Sequence, residues 1–253
     1  MEPMPDLTTA ETTTSRSGAD PDLAPFPTAG LIFDLDGTLT DNMGLHAEAF
    51  ARFAARHGLP PLTAADRARL DGKRNSEIFP VLFGRPLATA EWRAYEDEKE
   101  SLYREISAGR LRPLRGLHAL LTLAEAARLR LAIATSAPAA NVEHTLRELG
   151  LASRFAHVVR GDEVPRGKPD PDVFLEAARR LGLSPADCLA FEDTPSGIAA
   201  ARRAGMRVVG ITTSFSAADL LASQEPPHTT VPDFEAFLAG PGRWLARLAA
   251  ARP

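Results

Sequence analysis

Two aspartates one residue apart, Asp34 and Asp36, follow directly on an apolar run in the segment LIFDLDGTLTDN. Ionised carboxylates are costly beside buried apolar surface, so a pair of them at the end of an oily strand implies a use for their charge. Residues two apart on a strand point to the same side, so Asp34 and Asp36 share one site while Leu35 turns into the core. Other polar groups end later apolar runs: Thr135 and Ser136 close RLRLAIATS, Glu192 and Asp193 close CLAFED, and Lys168 follows HVV in the segment GKPDPDVF. Each alone has an ordinary explanation, as a turn cap, a helix N-cap or a solvated lysine. At the ends of neighbouring strands they become a set of carboxylates, hydroxyls and one cation at the edge where open α/β sheets bind ligands.

The elements that must position these groups are legible from periodicity. LIF is short and apolar like a buried parallel strand, and DGT breaks it. A helix carrying Leu45, Ala49 and Phe53 on one face follows, stopped by Gly58 and the Pro60–Pro61 pair. The pattern stays helical to about Pro113, most clearly over Thr89–Ala108. There Trp92, Tyr95, Lys99, Leu102 and Ile106 form a packing stripe, with Glu96, Asp97, Glu98 and Glu100 as the expected wet face. From Arg115 helices and strands alternate, which implies a parallel sheet with helices on both faces. The expected fold is α/β: a Rossmann-like parallel-sheet core with a helical cap domain inserted after the first strand. Residues 29–42 and 113–240 make the core, 43–112 the cap, 241–253 a C-terminal helical tail and 1–28 a disordered tail.

Composition narrows the function classes. The 253 residues carry a net charge of −4, which disfavours a sequence-independent nucleic-acid binder or an anionic-membrane binder. No apolar run approaches the ~18 residues of a membrane helix. A single cysteine, Cys188, rules out an intramolecular disulfide and reads as a small buried hydrophobe. The first 28 residues hold five prolines, six threonines, five acidic residues and one basic residue, without the basic start and apolar stretch of a secretory signal. The default expectation is a cytoplasmic protein, a monomer or weak homodimer.

DLDGTLTD, ATS, GKPDPDVF and FEDTPSGIAAA, in this order, resemble the four motifs of the haloacid dehalogenase superfamily, over roughly residues 30–213. The branch they look like is that of the β-phosphoglucomutase-like phosphatases with a helical cap. The resemblance implies that Asp34 is a nucleophile forming an aspartyl phosphate and that Asp36 is the general acid and base. It implies Mg²⁺ bound by the Asp34 and Asp193 carboxylates and the Asp36 backbone carbonyl, with Glu192 as a ligand or ordering a metal water. Thr135 would hold phosphoryl oxygens, Lys168 would steady Asp34, and Gly37 would let the chain turn beside the phosphate. It also implies a small phosphorylated metabolite as the partner, with His46, Gly72, Lys73, Arg74 and Ser136 on the substrate side.

The mutase of this branch carries an Arg and a Lys where this chain has Asn75 and Asp71, and a lysine after the second motif where this chain reads APAAN. The expected activity is therefore Mg²⁺-dependent hydrolysis of a small phosphomonoester, a sugar or polyol phosphate. Sugar-phosphate mutase is the alternative, and a non-catalytic sensor of a phosphorylated ligand is a third reading. Dehalogenation is set aside because the second Asp and the FED motif suit phosphate and metal.

Overall fold

The computed structural model describes residues 28–251, so the expected N-terminal tail lies almost entirely outside the described residues. The strands are β1 (Gly30–Phe33), β2 (Arg130–Thr135), β3 (His157–Arg160), β4 (Cys188–Glu192), β5 (Arg207–Ile211) and β6 (Thr229–Val231). They form one parallel sheet in the order β3-β2-β1-β4-β5-β6. The chain runs outward from β1 through β2 to β3, then resumes on the other side of β1 with β4. The topological switch point thus lies at β1, where such sheets bind ligands.

Helices cover both faces. Leu31 and Phe33 of β1 pack with α5 (Leu117–Ala126), α6 (Ala139–Glu148), α10 (Phe234–Ala239) and α11 (Arg243–Ala250), whereas Ile32 packs with α7 (Asp172–Leu181), α8 (Pro195–Arg203) and α9 (Ala217–Leu221). That alternation is the period of two of a strand buried on both sides. On the first face Phe33 stacks on Phe191 at 5.0 Å, with Phe234 edge-on to both.

Between β1 and β2 lie α1 (Met43–Arg56), α2 (Ala64–Leu70), α3 (Asn75–Leu82) and α4 (Thr89–Ser107). They have their own core of Ala49, Phe53, Phe79, Leu82, Leu102, Tyr103 and Ile106, and α1 packs lengthwise on α4. The expected stripe on α4 is present, but its expected wet face is not uniform. Asp97 is exposed and Glu98 pairs with Arg56 and His57, whereas Glu100 is only 3% exposed. Glu100 is buried because α4 packs on α1 and α3 within the cap and also touches α6 of the core. Beyond the resembling stretch, β6 extends the sheet, and α10 and α11 return to pack on α5. Leu245 anchors α11 fully buried, so this segment is part of the packed core. No described helix is long and apolar enough to cross a membrane.

Candidate active site

β1 and β4 run side by side in register, with Phe33 opposite Phe191, so the residues that follow them emerge together. Asp34, Glu192 and Asp193 are all buried, and one ligand oxygen from each lies within 4.8 Å of the others. Lys168, 1% exposed, reaches into this group and donates to Asp34 Oδ1 at 2.5 Å and to Glu192 Oε1 at 2.7 Å. Glu192 Oε2 accepts from the backbone N–H of Asp193 and Thr194 and from the Thr194 hydroxyl. Glu192 is therefore held by its own loop and holds Lys168 in turn. It also lies over Gly197, where a Cβ would stand 1.6 Å from Oε1, so only glycine permits that packing. Asp193 accepts from Thr38 Oγ1 at 3.2 Å and from the Ser214 hydroxyl.

Three buried carboxylates face one ammonium, and the imbalance shows in their acidities. Burial, with Glu192 and Asp36 beside it, outweighs the pull of Lys168 and raises the Asp34 carboxyl to about 8. Burial, with Glu192 and Asp34 beside it, sets Asp193 well above the ordinary carboxylate range. Burial alone would favour the neutral amine of Lys168, but Asp34 and Glu192 outweigh it and raise the ammonium above the ordinary lysine value. A hard oxygen set with excess negative charge fits a small divalent cation such as Mg²⁺.

Asp36 stands on the same side, as the single-residue spacing requires, while Leu35 is fully buried in the core. Asn42 occupies the N-cap position of α1 but makes no side-chain cap there. Its amide serves the site instead: Oδ1 accepts from Gly37 N at 3.0 Å, and Nδ2 donates to Asp36 Oδ1 at 2.6 Å and to Tyr103 Oη at 2.5 Å. His46 on α1 stacks on Tyr103, ring centroids 3.7 Å apart, and its Nδ1 lies 3.0 Å from Lys99 Nζ. An ammonium only donates, so Nδ1 accepts and Nε2 carries the proton. Nε2 faces Asp36 Oδ1 at 3.7 Å, beyond direct hydrogen-bond length and with no other partner. Burial opposes the charge of Asp36, but His46, Asn42 and Lys99 outweigh it and hold the carboxyl below the ordinary range.

The cap closes over this edge through the loop after α2. Gly72 has φ +84°, and a Cβ there would stand 2.6 Å from Thr194 Oγ1 and 2.7 Å from Ser196 Oγ, so glycine is what lets the loop approach the core. Its carbonyl accepts from Ser136 Oγ at 2.7 Å, and the Asp71 carbonyl accepts from Ser196 Oγ at 3.2 Å. The cavity enclosed, about 190 Å³, is lined by Asp34, Asp36, Thr135 and Ser136 from the core and by His46, Gly72 and Lys73 from the cap, among others.

Two expected residues stand elsewhere. Arg74 does not line this cavity; its guanidinium donates to the Gly161 and Val164 carbonyls and pairs with Glu77, so it fastens the cap to the core. Gly37, at φ +84°, does not line it either. A Cβ there would lie 2.0 Å from Asp193 Oδ2, so its bareness makes room for that carboxylate. Thr135 keeps its hydroxyl inside its own loop, accepting from Ala137 N at 3.0 Å. Asn42, Lys99, Glu100 and Asn141 escaped the sequence reading. Lys99 had one visible signal, a cation in the middle of an apolar stripe.

An open parallel sheet with acidic strand ends, a buried lysine and a helical cap closing over them defines a capped α/β enzyme built for an anionic substrate. The family model for haloacid dehalogenase-like hydrolases matches residues 31–211, and the chain belongs to that family, in its β-phosphoglucomutase-like branch. It is 34% identical over 192 residues to the phosphorylated carbohydrates phosphatase of Thermotoga maritima, covering 74% of this chain and 86% of that one. It is 33% identical to the β-phosphoglucomutase of Bacillus subtilis, covering 72% and 82%. A crystal structure of a haloacid dehalogenase-type hydrolase of family IA from Entamoeba histolytica superposes with a TM-score of 0.76 at 27% identity, covering 87% of this chain and 99% of that one.

Proposed function

We propose that the protein is a Mg²⁺-dependent phosphatase that hydrolyses a sugar or polyol phosphate through an aspartyl phosphate on Asp34. The observation that carries this reading is the buried Asp34 carboxylate, gripped by Lys168, flanked by Asp193, and opening with Asp36 onto one capped cavity. Asp34 and Asp193 would hold the metal through their side chains. When bound, Mg²⁺ supplies the positive charge that offsets repulsion between the Asp34 carboxylate and the substrate phosphate.

In the first half-reaction an Asp34 oxygen attacks phosphorus in line, and the bond from phosphorus to the leaving oxygen breaks. Asp36 delivers a proton to that oxygen. His46, Asn42 and Lys99 hold its carboxyl below the ordinary range against burial, which keeps it ionised in the free enzyme. Approach of the dianionic phosphate raises its proton affinity, so substrate binding itself prepares the acid. In the second half-reaction Asp36, again a carboxylate, takes a proton from water as that water displaces Asp34 from phosphorus. Lys168 holds Asp34 at the attack position, and His46, oriented by Lys99 and Tyr103, stands behind Asp36.

Hydrolysis is favoured over phosphoryl transfer between sugar positions because a mutase must grip a bisphosphate at both ends. Here Asn75 is tied to Glu96 and Glu100, Asp71 is a carboxylate beside Arg67, and the loop Ala137–Asn141 contains no cation. The test is phosphate release from a panel of phosphorylated sugars and polyols with Mg²⁺, with EDTA and with Asp34→Asn. Turnover abolished by both is expected. No phosphate released from any member of the panel with Mg²⁺ present would sink the reading.

A further inference from the structure

Glu100 is a buried carboxylate in the wall of the catalytic cavity, contributed by the cap and given no part in the chemistry above. Its Oε1 accepts from Asn75 Nδ2 at 2.7 Å and from Lys99 Nζ at 2.9 Å. Among the described residues its Oε2 accepts only from Asn141 Nδ2, at 2.6 Å. The Asn141 amide cannot turn round, because its Oδ1 accepts from Arg104 Nη1 at 2.8 Å. A carboxylate offers about four acceptor positions, so Oε2 keeps one in reserve. Burial opposes the charge, but Lys99, His46 and Asn75 outweigh it and hold the carboxyl below the ordinary glutamate range, so the group is an anion at neutral pH.

The buried cations nearby are committed. Lys99 spends its ammonium on Glu100, on His46 Nδ1 and on the face of Phe50, 4.1 Å away. Arg67 pairs with Asp71, and Arg74 points to core carbonyls outside the cavity. Lys73, which also lines the cavity, is only half-buried. A second phosphate or a carboxylate seated against this wall would meet a desolvated like charge without a buried fork of donors to repay it. A group that donates a hydrogen bond would find an acceptor ready.

We propose that Glu100 is a specificity-determining residue that accepts a hydrogen bond from a hydroxyl or ammonium on the carbon skeleton of the substrate. The substrate class is then a monophosphate of a polyhydroxylated or amino-polyhydroxylated compound, and esters with a second anionic group are refused. This rests on the phosphatase reading and narrows it.

The test compares kcat/KM of the wild-type enzyme with Mg²⁺ on a hexitol 6-phosphate, glucosamine 6-phosphate, hexyl phosphate, a hexose 1,6-bisphosphate and p-nitrophenyl phosphate, and then repeats it with Glu100→Gln. The two hydroxylated monophosphates should exceed hexyl phosphate and the bisphosphate at least tenfold in the wild type; which of the two is faster says whether the donor is hydroxyl or ammonium. In Glu100→Gln, the ratio of the preferred substrate to p-nitrophenyl phosphate should fall about tenfold, mainly through KM, while the relative rate on the bisphosphate rises. Taking ratios removes any general loss from a loosened Lys99. The wild-type comparison stands even if the variant fails to fold. Turnover of p-nitrophenyl phosphate without preference for the hydroxylated esters, or with the bisphosphate preferred, overturns the proposal alone, as does an unchanged ratio in a folded Glu100→Gln. Release of phosphate from no ester at all overturns the phosphatase reading and this proposal together.

Discussion

Replacing Lys168 by methionine tests whether one ammonium holds the site together. The side chain is 1% exposed and contacts Asp34 and Glu192 at 2.5 and 2.7 Å, with the Phe174 ring 5.2 Å from Nζ. Methionine keeps nearly the same length but removes the charge and the two hydrogen bonds it donates, so three buried carboxylates would be left without an internal counter-charge. Breaking a buried pair by removing one partner costs about 3–5 kcal/mol, because the surviving charge remains desolvated. For a protein of this size a kcal/mol moves the midpoint by about 2–4 °C, so the thermal transition in metal-free buffer should fall by about 6–20 °C. Removing the anions as well, in Asp34→Asn/Glu192→Gln/Lys168→Met, should recover most of the loss. Turnover of Lys168→Met with Mg²⁺ should drop by about 10²–10³, the usual consequence of deleting one charged or donor group at a developing charge. A Lys168→Met protein melting within about 2 °C of wild type would refute the account, since under a kcal/mol would then be at stake. So would a triple variant that melts lower than the single one.

Three further outcomes follow from other positions. In Gly72→Ala the left-handed backbone should cost about 1–2 kcal/mol in denaturant unfolding, and the cap loop, pushed off Thr194 and Ser196, should raise KM more than it lowers kcat. Glu100 has a folded pKa below that of an ordinary glutamate, so its contribution to stability is complete above the unfolded pKa and is lost as pH falls through the folded one. The midpoint gap between wild type and Glu100→Gln should therefore be widest near neutrality and narrow in acid, and a gap that widens in acid would contradict this. Cys188 is 2% exposed, and burial pushes its thiol up to about 12, so a disulfide reagent at pH 8 should leave the native protein unmodified and label it promptly in denaturant.

The sheet edge was legible because its geometry is carried by consecutive residues. LIFDLD, ATS and CLAFED each place polar groups immediately after a run of strand residues, and parallel pairing in register brings those ends together without further information. The period of two separates Leu35 from Asp34 and Asp36 by spacing alone. Lys168 was legible only through its motif. It follows β3 by a turn and reaches Asp34 from 134 positions away, a contact that no local pattern encodes.

The cap side was much less legible, and Lys99 and Glu100 show why. Adjacent helix residues point about 100° apart, so a helix packed on one neighbour buries one of such a pair and exposes the other. α4 packs on α1 and also on α6, so the buried arc is wide enough to take in both side chains. Neither would be stable there alone. The ammonium needs His46 from α1, and the carboxylate needs Asn75 from α3 and Asn141 from α6, each supplied by a different helix. Periodicity therefore assigns Glu100 to solvent, because a charge is normally dry only where partners arrive through tertiary packing. The same argument explains Arg74, which the resemblance put on the substrate side but whose guanidinium donates to two core carbonyls instead. The core edge holds the groups of the proposed phosphoryl chemistry on strand ends that sequence spacing fixes. The cap wall is assembled from residues on four helices and the loops between them, so substitutions there can alter what is bound without moving Asp34.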